Sequence, residues 1–175
     1  MDKYDVYFDI KHNSKTTGIK MEYWQLIRSK LGTQKVILPT AAGAIMKDNK
    51  ILLVLNKGNI WQFPGGFQDL NESITETVER EIYEELGLTL KAGQLISVYT
   101  SNKWDGKFSN GDEIQNFILL FKMIGDFEME DIKIQKSEVN TFQFFSLDQI
   151  PENTMECCKQ KCRDIFAYSG EVILH

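Results

Sequence analysis

Three cysteines and two histidines in 175 residues leave too little material for an oxidised framework or a dedicated zinc site. Three prolines and 12 glycines, without a repeat, exclude a collagen-like chain. No apolar run approaches the ~20 residues that a membrane span needs. The start Met1-Asp2-Lys3-Tyr4-Asp5 lacks the apolar core of a signal peptide, so the cytoplasm is the expected compartment. A net charge of −5 gives no basic footprint for gripping phosphate backbones. Stable nucleic-acid binding is therefore not expected.

What is present suits one soluble domain with an extension: 42% hydrophobic and 26% charged residues, at the length of a single core. Residues 1–35 read as that extension. Tyr4, Val6, Phe8 and Ile10 alternate with polar neighbours as a half-buried strand, and Met21, Trp24, Ile27 and Leu31 stripe a helix that stops at Gly32. Each needs a partner for its apolar face, so packing on the core is expected, with a homodimer slightly favoured. Residues 36–175 form the main domain. Strands are expected over 36–46 and 51–55 around the turn 47–50, then over 60–63, 94–99, 114–122 and 141–145. The segment 114–122 is apolar on both faces and should be central. A capping box over 153–156 precedes a helix striped by Met155, Cys158, Cys162 and Ile165, whose thiols read as core.

The charge is concentrated. Between Glu72 and Glu85 stand six glutamates and one arginine, Arg80, which accounts for the whole net charge. Ser73 with Glu76 is a capping box, Ile74, Val78, Ile82 and Leu86 recur every four residues, and Gly87 supplies the stop. On that helix Glu81, Glu84 and Glu85 fall within roughly 100° of one another, near the negative end of the dipole. One explanation is a solvated acidic face braced by Arg80 at i, i+4 to Glu76 and Glu84. The other is a site for Mg²⁺ or Mn²⁺, hard ions that suit carboxylate oxygens.

The spacing bears on that choice. Gly66, five residues, Glu72, seven residues, Arg80-Glu81-Ile82, Tyr83, Glu84-Glu85, Leu86, Gly87-Leu88 matches the signature of the Nudix hydrolases at every fixed position. Pro64-Gly65 and Trp61 before it also resemble that family, and the similarity spans about 36–151. The resemblance implies an α/β fold, an α/β/α sandwich with a mixed sheet and the signature as a loop–helix–loop. It implies divalent metal, Mg²⁺ or Mn²⁺, on Glu81, Glu84 and Glu85, with the carbonyl of Gly66 or its neighbour completing the shell. It further implies that Arg80 orients a glutamate and that Glu72 supports the loop, with Gly87 ending the helix. The implied activity is hydrolysis of the pyrophosphate linkage in a nucleoside diphosphate derivative: a nucleoside triphosphate, ADP-ribose or a nucleotide sugar. The alternative is a non-catalytic nucleotide sensor acting on a partner, a role that usually loses box glutamates.

A general base is still needed, which the resemblance allows to be either a box glutamate or an acidic residue from a loop outside the box. By resemblance Glu113 is the leading candidate outside the box and a further metal ligand, with Asp112 second and Glu138 third; Asn110-Gly111-Asp112 is equally an ordinary turn. Trp104 and Phe108 lie in a glycine-flanked stretch where a ring could stack on a base or simply pack. The proline and tyrosine marks of the ADP-ribose and diadenosine polyphosphate subfamilies are missing there.

Overall fold

The short side chains along 41–45, Ala-Ala-Gly-Ala-Ile, turn to alternate faces of their strand, and that alternation divides the core in two. Ala42 and Ala44 pack with Cys158, Cys162 and Ile165, whereas Ala41 and Ile45 pack with Val78, Ile82 and Leu86. A strand sends successive side chains to opposite faces, so one helix covers each side. The computed structural model describes residues 21–108 and 110–175; the strand expected over 4–10 lies outside them.

In chain order the elements are α1 (Tyr23–Leu31), β1 (Val36–Ala44), β2 (Met46–Lys47), β3 (Lys50–Asn56), β4 (Trp61–Gln62), β5 (Gly65–Phe67) and α2 (Ile74–Leu86). There follow β6 (Lys91–Tyr99), β7 (Gly106–Lys107), β8 (Glu113–Ile124), β9 (Val139–Phe145), α3 (Glu156–Ala167) and β10 (Ile173–Leu174). One sheet runs β10-β6-β8-β1-β5, with β7 paired to β8; the other runs β2-β3-β4, with β9 paired to β3. The first is mixed: β1 lies parallel to β8 from Val36↔Ile114 to Ala44↔Lys122, and antiparallel to β5 and β6 lies antiparallel to β8. The chain thus folds as the expected α/β/α sandwich, with α2 and α3 on opposite faces.

The central position of β8 follows from its two apolar faces. Ile118 and Leu120 point into the α3 side, Leu119, Phe121 and Met123 into the α2 side. Val78, Ile82 and Leu86 are fully buried under α2, each worth roughly 1.5–3 kcal/mol. The expected turn at 47–50 forms, with Asp48 and Asn49 at φ 50° and 57°, the primed geometry that hairpins favour. Its pairing, however, extends only over Met46↔Ile51 and Lys47↔Lys50. Beyond Ile45 the backbone of β1 is already spent on β8 and β5, so the long hairpin expected from 36–46 and 51–55 is split between two sheets.

Two local expectations are corrected. Asn153 does not cap α3, because its amide donates to Asn59 O (2.9 Å) and its carbonyl accepts from Trp61 N (3.0 Å); Met155 stands at the cap position instead. Helix α1 begins at Tyr23, where Glu22 N–H donates to Gln25 Oε1 (3.1 Å). Trp24 and Ile27 of α1 pack against Leu38, Phe108 and Ile114, so this apolar face is covered within the chain. Among the described residues no helix is long and apolar enough to cross a membrane.

Candidate active site

The site is assembled where β5 passes the last turns of α2, which carry Glu81, Glu84 and Glu85. Ser73 caps the helix, accepting from Glu76 N (3.3 Å), while the Glu76 carboxylate accepts from Ser73 N (2.7 Å). Glu76 is thereby committed to the cap, and Arg80 reaches elsewhere. Its guanidinium donates to Glu72 at 2.9 and 3.0 Å, to Glu81 Oε1 at 2.8 Å and to Glu84 Oε2 at 3.1 Å, and to the Phe67 carbonyl at 3.2 Å. Glu72 also accepts from Asp69 N (2.7 Å) and Thr77 Oγ1 (2.9 Å). Arginine and Glu72 thus tie the loop 67–72 to the helix. That hydrogen bonding holds the Glu72 carboxyl below the usual range and raises Arg80 above its ordinary value, keeping both charged.

The other carboxyls are pushed the opposite way. Burial lifts Glu81 to about 7, against the pull of Arg80. Burial lifts Glu85 well above the carboxylate range, reinforced by Glu81 and Glu138 and opposed by the Gly65 N–H that donates to it. Glu85 is 6% exposed, and its Oε2 has no hydrogen-bond partner. Gly66 lies flat against Glu81: a Cβ there would stand 2.5 Å from Cδ. Among the described residues, no three acidic, histidine or cysteine side chains converge closely enough to hold a metal ion. Arg80 bridges Glu81 and Glu84. An all-oxygen donor set with one orphaned buried oxygen, beside a glycine that leaves room, fits Mg²⁺ or Mn²⁺.

The glutamates open onto a cavity of about 400 Å³ between the two sheets, a size typical of small-ligand sites. Glu81, Glu84, Glu85 and Gly66 line it, as do Phe108 and Glu138. Burial raises Glu138, with Glu84 and Glu22 adding repulsion. Three residues singled out in the sequence lie elsewhere. Glu113 pairs with Lys107 (3.1 Å), and Asp112 is buried against the Arg28 guanidinium (3.4 Å) of α1. Trp104 is buried edge-on to Tyr99 (5.4 Å) with Lys103 over its ring (4.5 Å), away from the cavity wall. Of the two roles open to Trp104, stacking or packing, the structure shows packing, and the acidic residue facing the glutamates comes from the loop before β9.

Trp24 of α1 and Glu22 at its cap line the cavity, so the extension supplies part of its wall; the buried amides Asn56 and Gln62, and Lys161, were not singled out in the sequence. Only Lys161 could have been found. It sits between Cys158 and Cys162 on the apolar stripe of α3, where a lysine is out of place.

A two-sheet α/β/α sandwich with a glutamate-bearing loop–helix–loop beside a cavity defines a class of small-molecule site. The particular family is fixed by comparison: the model of the NUDIX domain matches residues 37–161, and the chain belongs to the Nudix family. It is 35% identical to the ADP-ribose pyrophosphatase of Methanocaldococcus jannaschii over 63% of this chain and 62% of that one. It is 30% identical to the NAD-capped RNA hydrolase NudC of Haemophilus influenzae over 73% of this chain and 47% of that one. The chain therefore spans about half to three-fifths of these relatives. Among solved structures, a UDP-X diphosphatase superposes with TM-score 0.60 at 26% identity, over 86% of this chain and 72% of that one. An ADP-ribose pyrophosphatase from Streptococcus suis gives 0.58 at 24% over 79% and 98%, which speaks for the fold.

Proposed function

We propose that this protein is a metal-dependent hydrolase of the pyrophosphate linkage in nucleoside diphosphate derivatives. The observation that carries the reading is the buried, unpaired Oε2 of Glu85 beside Glu81 and Glu84 at the wall of a 400 Å³ cavity. A lone buried carboxylate oxygen costs stability unless something enters to satisfy it. Mg²⁺ or Mn²⁺ bound there supplies charge neutralisation for the diphosphate and a more acidic water. Glu81, Glu84 and Glu85 hold that charge, and the Gly66 backbone gives Glu81 its room. Arg80 keeps Glu81 and Glu84 oriented, while Glu72 keeps Arg80 in place. Glu138, on the cavity wall with its carboxyl raised by burial, is the base that takes the proton from the attacking water. The names of the relatives, acting on ADP-ribose, NAD-capped RNA and UDP-linked groups, support the diphosphate linkage as the shared target.

The test is product release from a panel of nucleoside triphosphates, ADP-ribose and nucleotide sugars. Hydrolysis should require Mg²⁺ or Mn²⁺ and stop with excess EDTA. Full activity in EDTA would overturn the metal reading, and tight binding without turnover would make the chain a nucleotide sensor.

A further inference from the structure

The wall of the cavity away from the glutamates carries two buried hydrogen-bond donors that nothing in the proposed chemistry uses. The first is the amide of Gln62, 7% exposed. Its orientation is fixed by a chain of bonds that begins at the backbone. Ile60 N–H can only donate, and it donates to Asn56 Oδ1 (3.0 Å). Asn56 must then present Nδ2 on its other side, and this donates to Gln62 Oε1 (3.0 Å). The acceptor of Gln62 is thereby spent, and among the described residues nothing accepts from its Nε2.

The second donor is Lys161, 4% exposed and also on the cavity wall. Phe63, the residue after Gln62, gives its backbone N–H to Cys158, and Lys161 stands one helical turn beyond Cys158. The two donors therefore come from adjoining segments. Around the ammonium lie the thiols of Cys157, Cys158 and Cys162 and the carboxylate of Asp164. Burial opposes its charge, but negative charge on Cys158 first, then on Cys157, Cys162 and Asp164, outweighs burial and raises its pKa, so it stays protonated. Asp164 is itself engaged by Tyr99 and His175 (2.8 Å) and by Gln160 (2.9 Å). Among the described residues no carboxylate forms an ion pair with Lys161. Its ammonium stands over the Tyr99 ring (5.6 Å), and with no carboxylate paired to it this residue of the cavity wall still has hydrogen-bond donors to offer an entering acceptor.

Resting on the reading of this cavity as a nucleotide site, we propose that Gln62 and Lys161 form a donor-only edge that selects a nucleobase bearing carbonyl oxygens over adenine. Guanine presents O6 and N7 along one edge, and uracil presents O4. A glutamine reads adenine bidentately, at N6 and N7 together, only when the amide offers both oxygen and nitrogen. Here the oxygen belongs to Asn56, and an adenine amino group would point its N–H at an ammonium. Phe63 and Phe108 line the cavity as well and offer apolar surface to a base.

The experiment uses substrates matched in all but the base: ATP against ITP and GTP, and ADP-glucose against GDP-glucose and UDP-glucose. The wild-type protein should favour the carbonyl bases by at least about tenfold in kcat/KM, and Lys161→Met and Gln62→Met should each bring the ratio toward one. Calorimetric binding of GMP, AMP and inorganic phosphate separates the two proposals. No turnover with GMP bound about tenfold tighter than AMP would sink the hydrolase reading and uphold the edge. Turnover with adenine equal or preferred would uphold the hydrolase and overturn the edge. Loss of phosphate binding in Lys161→Met with the base ratio intact would also overturn it, assigning Lys161 to a phosphate. If Lys161→Met does not fold, the wild-type ratio and Gln62→Met decide.

Discussion

Gly65 and Gly66 are neighbours on β5, yet the same substitution should break different things. An alanine Cβ at Gly66 would lie 2.5 Å from Cδ and 2.8 Å from Oε2 of Glu81, against an ordinary contact of 3.4 Å or more. The backbone at Gly66 is not in the left-handed region, and the obstacle is the end of a side chain. The carboxylate must therefore retreat by about 1 Å, a displacement that costs on the order of 100-fold in rate when it misplaces a catalytic group. That corresponds to ~2.7 kcal/mol of transition-state stabilisation. Gly65 has φ 143°, and its Cβ would lie 2.9 Å from Ala42 Cα and nearer still to the Ala41 carbonyl. Nothing there can swing aside, so strain and overlap together cost about 3 kcal/mol or more, or about 10 °C in melting temperature. Circular-dichroism melts and steady-state kinetics on Gly66→Ala and Gly65→Ala check both. A Gly66→Ala protein with normal kcat, or one that melts as low as Gly65→Ala, would refute the assignment of Glu81 to the chemistry.

The remaining expectations use the same carboxyls. Glu81 and Glu85 have folded pKa values above the ordinary 4.5, so the folded state holds more protons than the unfolded state between about pH 5 and 7. Stability in EDTA should therefore fall as pH rises through that window, and Mg²⁺ should restore more of it at pH 7 than at pH 5. Glu85→Gln should flatten this slope, melt no lower than wild type in EDTA, and lose at least ~100-fold in rate; melts that rise with pH in EDTA would contradict the picture. Glu138→Gln should lower kcat far more than it changes KM, whereas Glu113→Gln, at a residue paired with Lys107 and not lining the cavity, should leave both near wild type. The reverse pattern would return the base to the strand β8.

The helix of the glutamates was legible because everything that makes it is local: Ser73 and Glu76 at one end, Gly87 at the other, and a four-residue apolar repeat between. The central place of β8 was legible for a similar reason, since a strand apolar on both faces can only be covered on both. The choice among Glu113, Asp112 and Glu138 was not legible. Each is an acidic residue beside a strand, and what separates them is which partner the folded chain brings. Lys107 takes Glu113, Arg28 takes Asp112, and Glu138 alone of the three faces the box. Asn153 failed as a cap on the same ground, because bonds to residues 59 and 61 claimed its groups first. Trp104 shows the limit of reading composition as role, because a ring in a glycine-flanked stretch can as well close a core.

The small residues of β1 set how deeply α2 sinks onto the sheet. At Gly43 an added Cβ would stand 2.5 Å from Ile82 Cδ1 and 3.1 Å from Met123 Cγ. Ile82 follows Glu81 directly and precedes Glu85 by three residues, so helix height and carboxylate height are one dimension. The strand works as a shim. A single methyl group added on the far side of the helix would lift the carboxylates away from Gly66 without touching any of them. Residues that never meet a ligand therefore set the calibre of the site, and the tolerance of this scaffold to change is narrowest in its smallest side chains.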